Sequence, residues 1–171
     1  MTLTTHAIVG ASTATIFSFH PVAAIAAAFL SHFAIDAIRH WDYFPRSFLK
    51  DHKDPLKSDM IIGEHFGRDF IIIASDASLG MILSLALFSP SSIYDFWTIV
   101  LGAGFGILPD PLQFVYWKLK REPLVSLQRF HKWAHNKNES WTHKNHWKIG
   151  LFCQLVLILG FLWLTKFYFL L

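Results

Sequence analysis

From Met1 to Ile35 the chain contains no Asp, Glu, Lys or Arg, yet this run holds His6 and His32 and leads straight into Asp36. Uncharged stretches of that length cross a bilayer or fill a core, and ionisable groups inside them are costly unless they bind a proton, an ion or a metal. The pattern recurs at Asp76, in Phe70-Ile-Ile-Ile-Ala-Ser-Asp-Ala-Ser-Leu-Gly80, and at Asp110, in Gly106-Ile-Leu-Pro-Asp-Pro-Leu112. Backbone in lipid must satisfy its own hydrogen bonds, so the expected fold class is all-α, an integral membrane helical bundle.

The length of 171 residues suits one domain, and a 53% hydrophobic, 16% aromatic composition is high for a soluble globule. The first segment lacks the positive n-region of a secretory signal and is read as part of the mature protein. Cys153 is the only cysteine, which excludes a disulfide framework or a cysteine zinc knuckle within one chain. A net charge of +3 confined to two loops argues against a nucleic-acid partner and for a bilayer with anionic head groups.

Five spans are expected, over 3–19, 21–41, 69–89, 95–117 and 148–170, each of roughly 20 residues. His20-Pro21 separates the first two, because proline suits the first turn of a new helix and cannot continue the old one. Ser89-Pro90-Ser91-Ser92 separates the third and fourth and offers a serine cap. Of the 15 Lys and Arg, 14 fall between Arg39 and Arg68 or between Lys118 and Lys148. The positive-inside rule then makes both long loops and the N-terminus cytoplasmic, in a multi-pass protein of the inner (plasma) membrane. Small residues in Ala23-Ala24-Ile25-Ala26-Ala27-Ala28 and Gly102-Ala103-Gly104-Phe105-Gly106 predict that the second and fourth spans form the centre of the bundle. The glycine run lacks the spacing of a nucleotide fingerprint. The last span, in which Gln154 is the one sizeable polar group from Ile149 to Thr165, reads as an anchor or wall, and a faint internal repeat aligns Asp36 with Asp110.

The densest chemical motif is His32-x3-Asp36-x3-His40. On a continuous helix its members share an arc of about 80°, and an i, i+4 pair of imidazole and carboxylate is suited to holding one divalent ion. For His40, close to Arg39 and Trp41, an interfacial structural role is an equal alternative. His131-x3-His135 lies on an amphipathic stretch expected at the membrane surface. His6, Asp36, Asp76, Asp110 and this pair all fall toward the same end of their helices, which makes one shared metal site the economical reading. His20, His52, His65, His143 and His146 read as interfacial or loop histidines, with His65 and His143 the first exceptions to consider. Glu64 reads as an exposed acid that would otherwise serve as a base.

Thr5-His6-Ala-Ile-Val-Gly10, Leu30-Ser-His32-Phe-Ala-Ile-Asp36, Leu108-Pro-Asp110 and His131-x3-His135 together resemble the bacterial family of membrane-bound metal-dependent hydrolases. More distantly, the His-x3-Asp pair is similar to the zinc-dependent phospholipases C. The resemblance implies an all-helical membrane enzyme with His6, His32, Asp36, Asp110 and a later histidine as ligands. The chain departs from that pattern at Pro111-Leu112-Gln113, which lacks the further Asp and His that often follow, so this element does not support a full dinuclear centre.

The reading that results is a metal-dependent hydrolase acting on an ester or phosphoester, such as that of a lipid, at the cytoplasmic face. Zinc is the favoured ion. His32, Asp36 and Asp110 are its primary ligands, His6, His131 and His135 are secondary, and Asp76 is the candidate base or second-metal ligand. The ion would lower the pKa of bound water and polarise the scissile bond. The alternatives are a small ion or proton carrier that uses the same acids and histidines as a relay, and a catalytically silent scaffold.

Overall fold

Every long element of the computed structural model, which describes residues 1–51, 53–135 and 146–168, is a helix. His52 and His143 lie outside the described residues. Helix α1 (Leu3–Ile16) is followed by α2 (Pro21–Asp36), and after a long connection by α3 (Phe66–Phe88), α4 (Ile93–Ile107), α5 (Pro109–Leu119), α6 (Leu124–His135) and α7 (Trp147–Tyr168). The connection carries a two-stranded antiparallel ribbon, β1 (Phe48–Leu49) against β2 (Asp59–Met60).

Among the described residues, two helices, Phe66–Phe88 and Trp147–Tyr168, are long and apolar enough to cross a membrane. A third candidate is the pair Ile93–Ile107 and Pro109–Leu119, bent by 43° at the break. The bend falls where Pro109 removes a backbone donor and Pro111 removes another two residues later. The expected first and second spans are shorter: α1 has 14 residues and α2 has 16, or about 21 and 24 Å of helix against a hydrocarbon core of ~30 Å.

Local chemistry explains these boundaries. Thr2 caps α1 through its side chain, and the ring of His20 accepts from the Ala23 amide to cap α2, with Pro21 in the first turn. Ser92 caps α4 through the Asp95 amide at 3.0 Å. Helix α2 stops at Asp36, four residues before His40, where the Ile38 amide closes a tighter turn onto Ile35. The expected continuous helix through residue 41 is therefore not formed, and the position of His40 is set by loop geometry.

The centre of the bundle also differs from expectation. Helix α1 occupies it, buried from Leu3 to Ala14 except at Thr4 and packed against α2, α3, α4 and α7. Its closest neighbour is α4, because Gly10 faces Gly102 and Gly106. A Cβ on Gly106 would come within 2.5 Å of the His6 carbonyl oxygen and 3.0 Å of the Gly10 Cα. The glycine spacing on α4 was readable as a packing surface; its Gly102 and Gly106 meet Gly10, Ala11 and Ala14 of α1, while Phe105 between them packs against Ala24 and Ala28 of α2.

Helix α7 is tied to α1 by Thr165, whose hydroxyl meets that of Ser12, and by Gln154. Gln154 Oε1 accepts from the Thr2 amide at 3.2 Å, Thr2 Oγ1 at 2.9 Å and Thr5 Oγ1 at 3.0 Å. Its Nε2 donates to the Trp41 carbonyl at 2.9 Å. A buried amide satisfied on both ends fixes the register of α7 against the entrance of α1.

Candidate metal centre

Four elements send histidines or carboxylates to one point. His6 comes from the second turn of α1, His32 and Asp36 from the last turns of α2, Asp110 from the start of α5 after the bend, and His131 and His135 from α6. His40, from the loop after α2, joins them. His6, His32, Asp36 and His40 are at most 1% exposed, and Asp110 keeps 30% of its side chain accessible.

Asp36 is the hub. Its Oδ2 lies 3.1 Å from His32 Nε2, 3.3 Å from His131 Nε2 and 2.9 Å from His135 Nε2. Its Oδ1 lies 3.2 Å from His6 Nε2 and 3.9 Å from His40 Nε2, with the amino-terminal nitrogen at 3.3 Å. The two oxygens of one carboxylate thus face different sets of imidazoles. Asp110 Oδ1 adds to the first set, 3.6 Å from His32 Nε2 and 3.7 Å from His131 Nε2.

Tautomers follow from the outer contacts. His32 Nδ1 lies 2.8 Å from the Gly106 carbonyl oxygen and His40 Nδ1 lies 2.7 Å from that of Ile38. A carbonyl only accepts, so both Nδ1 atoms carry the proton, and in the neutral rings both Nε2 atoms present lone pairs. Those lone pairs point at carboxylate oxygens and at the Nε2 of His131, 3.2 Å from His32. Either a proton on one of these rings or a bound cation offsets the repulsion between facing acceptors. Both ring nitrogens of His6 and Nε2 of His40 are buried and make no hydrogen bond to the described residues. On helix α6, burial lowers the His131 pKa despite the neighbouring Asp36 and Asp110.

The spacing fits a metal. Zinc bond lengths of ~2.0–2.2 Å place tetrahedral donors roughly 3.3–3.6 Å apart, and the contacts of His32 and His131 with each other, with Asp36 and with Asp110 fall close to that range. Three groups of donors, His6/His32/Asp36, His32/Asp110/His131 and Asp36/His40/His135, could each hold an ion. The outer bonds of His32 and His40 to backbone carbonyls are those that orient metal-binding histidines.

Asp76 is not brought to this cluster. Its Oδ2 accepts from the Leu3 amide at 2.7 Å, and its Oδ1 from the Thr4 amide at 3.1 Å and Thr4 Oγ1 at 2.6 Å. An acid among apolar residues of α3 signals a buried task, and here the task is closing the first turn of α1. Glu64 and His65 stand exposed before α3, away from the donors. His40, left between two readings by its sequence, is fully buried at the cluster. Asp42 was not singled out at all: it looks like one more charge in a polar loop, but its Oδ2 approaches the amino-terminal nitrogen at 3.4 Å beside Asp36.

Helix α6 is inverted relative to a soluble amphipathic helix. Gln128, His131 and Ala134 face inward, while Phe130 and Trp133, with stacked rings, face outward. That suits a helix lying in an interface with its aromatic side in the head groups.

Comparison with family models, with curated proteins and with solved structures finds no match for this chain.

Proposed function

We propose that the protein is a membrane-embedded, metal-dependent hydrolase of an ester or phosphoester. The observation that carries this reading is the convergence of four imidazoles, those of His6, His32, His131 and His135, onto both oxygens of the buried Asp36. His32, Asp36, Asp110 and His131 hold the principal ion, with His135 at the same carboxylate oxygen; His6 and His40 serve a position on the other. Borderline imidazole and carboxylate donors at these separations favour zinc. When bound, the ion supplies Lewis acidity and a water acidified toward neutral pH.

The chain's own residues do the remainder. Gly106 and Ile38 orient His32 and His40 through their carbonyls. Asp110, partly accessible, presents an edge of the cluster to an incoming group. Asp42, the carboxylate beside the cluster that also meets the amino-terminal nitrogen, takes the place expected for Asp76 as the proton acceptor. In this reading the cation-rich loops are cytoplasmic, as is the N-terminus, and the site lies at the inner head groups of a bacterial plasma membrane. Short α1 and α2 form a hairpin shielded by α3, α4 and α7, so five passes are completed without full-length helices at each.

Elemental analysis of detergent-purified protein tests the proposal. Near-stoichiometric zinc or another divalent metal is expected in the wild type and is lost in His32→Ala and Asp110→Ala. Turnover of a p-nitrophenyl phosphodiester should follow the metal. Absence of metal, combined with proton or cation flux in liposomes, would replace the hydrolase with the carrier reading.

A further inference from the structure

A cavity of about 350 Å³ opens beside the metal centre and is lined by its Asp110 and by the neighbouring Asp42. Apart from these, Tyr43 and Gln113, the residues lining it are apolar. Phe48, Phe114 and Trp117 form one wall, the rings of Phe48 and Trp117 lying 5.2 Å apart. Phe66, Phe70 and Ile73 bring an adjoining wall from α3, a candidate membrane-crossing helix, with the rings of Phe66 and Phe114 5.8 Å apart. Phe44 and Phe70 remain 58% and 60% exposed and mark its mouth. The mouth therefore adjoins the apolar outer face of α3, where Ile71 and Leu79 are exposed as well.

The walls are held by polar ties behind them. Asp69 Oδ2 accepts from the Ser47 amide at 2.7 Å and from Ser47 Oγ at 2.8 Å, and Tyr116 donates to the Leu56 carbonyl at 2.9 Å. Lys118 donates to the Met60 carbonyl at 2.6 Å. The loop carrying Phe44 and Phe48 is thus fastened to α3 and α5 at several points, and the cavity is built into the fold.

We propose that this cavity binds the hydrocarbon chain of a bilayer lipid whose ester or phosphoester head reaches Asp110 and the metal centre. The inference rests on the hydrolase reading and names its substrate class. Polar partners are confined to Asp42, Tyr43, Asp110, Gln113 and the indole nitrogen of Trp117, and along the remaining walls an apolar chain finds dispersion contact. The volume lies at the low end of the ~300–1,000 Å³ of ligand pockets, which suits one chain and not two. The opening toward the apolar side of α3 lets the chain enter from lipid without passing through water.

Binding of n-alkylphosphonates from butyl to dodecyl, measured by calorimetry on the metal-analysed full-length protein in detergent, tests the assignment. Ile73→Trp fills the cavity; Leu79→Trp adds the same bulk on the outer face of α3. Partitioning of ligand into micelles is common to all three proteins, so affinity ratios isolate the cavity. The ratio of wild type to Ile73→Trp should rise from about one for butyl to at least tenfold for dodecyl, with Leu79→Trp unchanged at every length. Phe70→Ala, at the exposed mouth, should lose at least threefold for dodecyl alone and serves if Ile73→Trp does not fold. A flat ratio, or an equal effect of Leu79→Trp, in protein that retains its metal overturns the chain site while leaving the metal centre standing. Wild-type protein without metal overturns the hydrolase reading beneath it.

Discussion

The imidazole of His32 donates from Nδ1 to the carbonyl oxygen of Gly106 across 2.8 Å, joining α2 to α4 one turn before the bend. The same glycine lies against the His6 carbonyl, and the rings of His6 and His32 stack at 3.8 Å. Gly106 therefore sets both the separation of α1 from α4 and the orientation of two histidines. Helix packing and donor geometry meet at a residue without a side chain.

Gly106→Ala is expected to disturb both properties. A methyl group overlapping the His6 backbone costs about 1–3 kcal/mol as overpacking. Gly104→Ala, two residues away with open space around the added carbon, should be neutral or slightly stabilising. Thermal unfolding in detergent, read together with metal content, checks the pair. Equal behaviour of the two variants would refute the close-packed crossing.

Asp36→Asn removes the charge shared by both sets of imidazoles. Metal retention should fall by more than the ~10–100-fold typical of altering a supporting residue. His135→Ala, one donor among several at Oδ2, should lose less. Competition with a chelator of known affinity measures both. A larger loss in His135→Ala would displace Asp36 from the hub.

Asp76→Ala should behave as a capping variant. Two backbone donors at the start of α1 lose their acceptor, with an expected loss of about 1–2 kcal/mol. Metal content and turnover per folded molecule should stay within about threefold of wild type. A collapse of turnover in folded, metal-loaded Asp76→Ala would restore this residue to the chemistry.

The loop under the cavity carries a pH-sensitive tie. Burial alone would raise the Asp59 pKa, but the hydrogen bond and charge of Lys118 at 2.7 Å bring it below its ordinary value of 3.8. A depressed carboxylate contributes stability above that ordinary value and loses it as the pH falls through the depressed one. Both side chains are about one-third exposed, so the contribution is about 0.2–1 kcal/mol after screening. Wild type should melt above Asp59→Asn at neutral pH, and the two should converge once the carboxylate is protonated. Persistence of the gap in strong acid would show that the charge is not its source.

Asp36 and Gln154 mark how far the chain could be read. Uncharged runs broken by His20-Pro21 and by Ser89 to Ser92 determine an all-helical protein with membrane-crossing candidates, because proline, serine caps and lipid-compatible backbone act locally. The i, i+4 pair His32 and Asp36 was visible for the same reason. Local periodicity is silent on what a side chain meets across the bundle. Asp76 and Asp110 look alike in sequence, yet one caps α1 and the other reaches the imidazoles. Gln154 appears idle until Thr2, Thr5 and Trp41 surround it. Gly10 stands alone in α1 and gains meaning only opposite Gly102 and Gly106. Sequence settled helix and burial, which depend on neighbours along the chain. Tertiary packing decided which polar groups converge, because separations of about 3 Å between donors on four elements are set by how closely their helices cross.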